Sequence, residues 1–111
     1  MRSAYTLVFL SRTLDLTETQ QQAMARVLDA IDTERAQAQV DHKRTLAAFA
    51  GALTATAFDR QQATAGVALR EQSEARLRDS VLQTLVETHD ILQPAQRERL
   101  ATMLRTGELT I

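Results

Sequence analysis

The chain has 111 residues, a net charge of −1 and acidic and basic side chains interleaved along its length, so it has room for one domain and lacks the basic field that neutralises a phosphate backbone. It contains no cysteine, which removes disulfides, thiolate metal sites and thiol nucleophiles together but identifies no compartment. Hydrophobic residues make up 44% of the chain, yet many are alanine and aromatics are only 4%, so its own core is thin and a homodimer is expected to complete it.

Three glycines and one proline leave few breaks, and the abundant Ala, Leu, Gln, Arg and Glu favour helix, which predicts an all-α fold of about four helices. The stretch Ala4 to Leu10 is too short for a membrane span and lacks a small-residue cleavage site, so it reads as neither span nor signal peptide. Within the lead-in 1–16, Ser3 to Ser11 is a short helix whose crowded apolar residues pack on the body. Thr17-Glu18-Thr19-Gln20 is a capping box: the Thr hydroxyl accepts the third amide of the helix and the Gln side chain reaches back to the Thr amide.

From this cap an apolar stripe runs through Met24, Val27, Leu28, Ile31, Ala38, Leu46, Phe49 and Leu53 at helical spacing, predicting a long helix over 17–53. Gly51 is its first break, and Thr54 to Phe58 reads as a turn. Asp59 with Gln62 opens the next helix, 59–90, with Ala63, Val67, Leu77, Val81, Leu85 and Val86 on its face. Two long helices joined by a short turn lie antiparallel. Pairing about that turn sets Met24 near His89 and His42 near Glu71. The last helix, 93–106, has Pro94 at its first position, where the missing amide costs nothing, and Gly107 as its stop.

The run Leu14-Asp15-Leu16-Thr17-Glu18-Thr19-Gln20, with Leu92-Gln93-Pro94-Ala95-Gln96-Arg97 at a distance, resembles the paired L-T-x-x-Q motifs of the bacterial Spy/CpxP family, which takes in heavy-metal sensors and resistance proteins similar to CnrX and ZraP. The turn Ala57-Phe58-Asp59 and the Arg-, Gln- and Ala-rich third helix look like that family as well, so the likeness covers Leu14 to about Arg105. The second motif is degenerate, with Gln93 in place of Thr. The resemblance implies a helical, hooked homodimer in the periplasm, acting as a stress- or heavy-metal-responsive sensor or resistance accessory protein. Its expected partners are a membrane signalling protein for a sensor or an unfolded client for the alternative, an ATP-independent holdase; the second alternative is a structural dimerisation module, for which the cytoplasm is the alternative compartment.

The sharpest candidate site is a transition-metal site for Cu, Ni or Zn on His89 and Met24, since imidazole and thioether suit those ions. The family's metal sensors place a His and a Met four residues apart before the L-x-P signal, and the matching positions here are Thr84 and Thr88. The His-bearing segment upstream of the first motif has no counterpart either, because residues 1–16 contain no histidine. His42 falls with Arg35 on the apolar seam by heptad count, where a polar residue sets register or meets a dimer partner. Thr17 with Gln20, Asp59 with Gln62 and Pro94 with Gln96 are accounted for by capping. No Gly-rich phosphate loop, H-E-x-x-H or paired nucleophile and base occurs, so the chain is not expected to be an enzyme.

Overall fold

A computed structural model describes residues 2–110, and among them the regular elements are four helices: α1 (Arg2–Thr13), α2 (Glu18–Thr54), α3 (Arg60–Ile91) and α4 (Pro94–Thr106). Helices α2 and α3, of 37 and 32 residues, pack against each other as the expected hairpin. The chain forms two compact units, one made of residues up to Asp32 with those from Val81 onward, the other of Thr33–Ser80.

The first unit holds a conventional apolar core. Leu10 and Leu14 come from the end of α1 and the link after it, Leu16 from that link, Met24 from α2, Leu92 from the α3–α4 link and Met103 from α4. All six are buried, and Leu7, Phe9, Leu28, Ile91, Leu100 and Leu109 pack around them. A buried side chain of this size contributes about 1.5–3 kcal/mol, so this cluster is the main apolar reserve of the unit. Asp15 makes the entry possible. Among the described residues it is the non-glycine one with positive φ, 54°, and the tight turn it allows sends both Leu14 and Leu16 inward, with the Leu16 amide donating to the Ser11 carbonyl at 3.1 Å. Aspartate tolerates this left-handed conformation better than most residues.

The second unit is built differently. Its inward positions on α2 are Ala38, Asp41, Thr45, Ala48 and Ala52, alternating three and four residues apart, the period of paired, supercoiled helices. The buried members are small or polar: Thr45, whose hydroxyl donates to the Asp41 carbonyl at 2.9 Å, together with Asp41, Ala52 and Gly66. A β-carbon added at Gly66 would sit 2.8 Å from Phe49 and 3.1 Å from Ala48, so glycine lets the helices approach closely here.

This corrects the expected stripe. Leu46 and Leu53 are exposed, Leu53 by 74%, and their neighbours Thr45 and Ala52 occupy the seam instead. His42 is likewise exposed and Asp41 takes the seam position. For Leu46 and Leu53, a stripe drawn at the period of a straight helix drifts off a seam that keeps the 3.5-residue repeat, whereas His42, placed by heptad count, keeps the repeat but sits one residue out of register. Gly51 is not a break, since α2 continues through it to Thr54, and the Asp59 amide closes the turn onto the Ala52 carbonyl at 3.2 Å.

Candidate functional site

The two motifs meet in the first unit. At the start of α2 the Thr17 hydroxyl accepts from the Gln20 amide (3.1 Å) while the Gln20 side-chain oxygen accepts from the Thr17 amide (3.0 Å), the reciprocal cap expected from the sequence. At the start of α4 the Gln96 side-chain oxygen accepts from the Gln93 amide at 2.8 Å, so the degenerate motif still caps its helix.

The two cap glutamines then clasp one another. The Gln20 amide nitrogen donates to the Gln96 oxygen at 2.8 Å, and the Gln96 nitrogen donates to the Gln20 oxygen at 3.1 Å. Each nitrogen's other hydrogen goes to a carbonyl at the opposite motif, from Gln20 to Ile91 (3.0 Å) and from Gln96 to Leu14 (3.1 Å). Every donor and acceptor of both amides is thereby used, which is what a nearly buried amide requires. The Arg97 guanidinium extends the joint by donating to the His89 carbonyl at 2.8 Å, satisfying one of the free carbonyls at the C-terminal end of α3. Local spacing accounts for Gln20 and Gln96 as cap residues, but not for the contact between them. Two matched motifs ending in glutamine were the signal that could have suggested it.

Met24 is 2% exposed, its thioether enclosed in the leucine core, whereas the His89 side chain is 65% exposed with Nδ1 3.2 Å from an Asp90 carboxylate oxygen. The two residues therefore have different surroundings, one dry and one aqueous. Thr88 is buried and Thr84 half-buried. Among the described residues no group of three or more His, Asp or Glu side chains is arranged to hold a metal ion. Along the first unit a groove of about 420 Å³ runs over Ala23, Val27, Ala30 and Ile91, edged by Arg26, Glu87 and Asp90.

In the second unit Asp41 is 5% exposed and lies at a smaller cavity of about 140 Å³, with His42, Arg70 and Glu74 at its rim. Gln37 donates to its carboxylate at 3.0 Å and the Arg76 guanidinium stands 4.0 Å away. The Gln37 hydrogen bond, helped by Ser73, Arg76 and Arg44, holds its carboxyl below the usual 3.8 against the opposing effect of burial. The buried polar residue at this seam is thus Asp41, where the sequence had suggested His42.

The chain is an all-α helical hairpin whose two glutamine caps interlock in the first unit, with large apolar side chains exposed on its helices. Compared with known families, residues 6–104 match the LTXXQ motif family, and the chain belongs to it. The family includes Spy/CpxP-like periplasmic proteins and is a non-enzymatic one. No curated protein and no solved structure matches the chain. Among the described residues no helix is long and apolar enough to cross a membrane.

Proposed function

We propose that the protein is a periplasmic, homodimeric, ATP-independent holdase of the Spy/CpxP type, serving the envelope stress response by holding apolar segments of unfolded chains. The observation that carries this reading is the set of large apolar side chains left in water on α1 and α3. On α3, Leu82, Leu85 and Val86 are exposed at spacings that place them on one helix face, and on α1 Tyr5 and Val8 are exposed as well. Large apolar side chains grouped on an exposed helix face suit interaction, and membership of a non-enzymatic family supports binding as their use. Because these faces are ordered helices, they suit loose, sequence-tolerant contact.

The test is suppression of light scattering by a thermally unfolding client enzyme, without ATP, at several-fold excess of the protein. Wild type is expected to suppress aggregation. A variant with Leu82, Leu85 and Val86 replaced by Ser is expected to lose most of that effect while keeping its helicity, since all three side chains are exposed. Absence of suppression by the wild type would overturn the proposal.

A further inference from the structure

We infer that the turn end of the second unit is a lipid-binding tip that inserts into the surface of an anionic bilayer. Between Thr45 and Leu69 the sole charged residues are Asp59 and Arg60, and none occurs from Thr45 to Phe58. Asp59 is committed to the fold, its carboxylate accepting the Gln62 amide at 3.0 Å as the cap of α3. Charge is thus missing from every face of the α2 end, not from one stripe. A groove on a protein partner needs one apolar stripe, whereas a helix end uncharged all round suits surroundings that are apolar on all sides.

The same segment exposes large side chains. Leu53 is 74% and Phe58 58% exposed, with Leu46 and Val67 also open to solvent, while the seam beneath them is filled by alanine, threonine and glycine. From Thr45 to Thr54 the helix rises about 15 Å, enough to carry Leu53 and Phe58 the roughly 5–10 Å into the headgroup boundary that interfacial segments reach.

Charge complementarity favours a bilayer with anionic lipid. The first charges met below the tip are Arg44 on α2 and Arg70 on α3, the latter with its guanidinium 5.3 Å from the centre of the Phe49 ring. Lys43 and Glu71 follow one residue further on. Arg60 adds a third arginine beside the turn, next to the Asp59 carboxylate, which leaves cations in excess around the tip. Arginines at the rim of an apolar tip keep their heads at lipid phosphates while their stems cover apolar surface, and each basic residue near an anionic surface adds attraction.

The experiment uses the whole chain and sedimentation with vesicles of equimolar phosphatidylglycerol and phosphatidylcholine, beside vesicles of phosphatidylcholine alone. Wild type is expected to sediment with the mixed vesicles and at least tenfold more weakly with the neutral ones. Leu53→Asp with Phe58→Asp is expected to reduce binding to the mixed vesicles at least tenfold with helicity unchanged, both side chains being exposed. Because the chain has no tryptophan, Phe58→Trp supplies a second readout, a blue shift of emission on adding the mixed vesicles. Equal binding of the double variant and wild type, no binding to either vesicle, or an emission maximum unmoved by lipid would each overturn the inference. So would a double variant whose sole defect, by light scattering, is loss of self-association. The tip lies apart in sequence from Leu82, Leu85 and Val86, so failure here leaves the holdase assay unaffected.

Discussion

Replacing Gln20 by Ala removes four side-chain hydrogen bonds at once: those received from the Thr17 amide and the Gln96 nitrogen, and those given to the Ile91 carbonyl and the Gln96 oxygen. A net hydrogen bond contributes about 0.5–1.5 kcal/mol, and a buried group left unpaired costs about 1–3 kcal/mol, so the expected loss is roughly 3–4 kcal/mol. That is a large share of the ~5–15 kcal/mol that holds a domain of this size. Gln96→Ala removes the equivalent set and should cost a similar amount. The two mutual bonds are lost in both single variants, so the double variant should be less destabilised than the sum by about 1–2 kcal/mol. Urea unfolding followed by circular dichroism measures all four corners of the cycle, provided the slope with denaturant is unchanged. Gln20→Glu sharpens the test, because the carboxylate still accepts the Thr17 amide but sets an anion against the Ile91 carbonyl and the Gln96 oxygen. It should be at least as costly as Ala at neutral pH. Costs that add within about 0.5 kcal/mol, or a single variant losing less than about 1 kcal/mol, would refute the clasp as a coupled unit.

Asp41 has a folded-state pKa below its ordinary value, so its contribution is fully present above about pH 4 and is lost as pH falls through the lowered value. Unfolding midpoints measured down the acid range should therefore drop more steeply for wild type than for Asp41→Asn, and parallel curves would contradict this. Gly66→Ala should destabilise by about 1 kcal/mol despite the better helix propensity of alanine, because the added carbon meets Phe49 and Ala48; Phe49→Leu in the same chain should recover part of the loss. Gly107 has φ of 79° with open space around it, so Gly107→Ala should cost about 1 kcal/mol from backbone strain alone, read as a lower thermal midpoint. Met24→Ala should cost about 2–5 kcal/mol and His89→Ala no more than about 0.5 kcal/mol, as befits a core residue and a solvated one. Calorimetry with Cu, Ni and Zn on the wild type and on His89→Ala tests metal binding directly, and sub-micromolar binding lost in the variant would restore a ligand role to that histidine.

The helix starts were legible because capping is local. Thr17 with Gln20 and Asp59 with Gln62 lie three residues apart, and the hydrogen bonds they were expected to make are the ones present. The hairpin followed from the same locality, from two long uninterrupted helical runs and one short turn. The family likeness also rested on short, countable motifs.

Tertiary structure alone decided which face of each helix turned inward and what the two motifs did to each other. Leu46 and Leu53 fit a helical stripe as well as Thr45 and Ala52 fit a heptad. The choice between them came from the close approach that Gly66 permits, a contact between residues far apart in the chain. His42 and Asp41 differ by one position, and the seam selected the one that Gln37 can bond and that Arg76 on the opposite helix accompanies. Met24 went to the core and His89 to solvent because α1 and the two links brought leucines around the thioether. The amide clasp between Gln20 and Gln96 spans 76 positions of sequence, and such a bond exists only once the fold has brought both caps to one place.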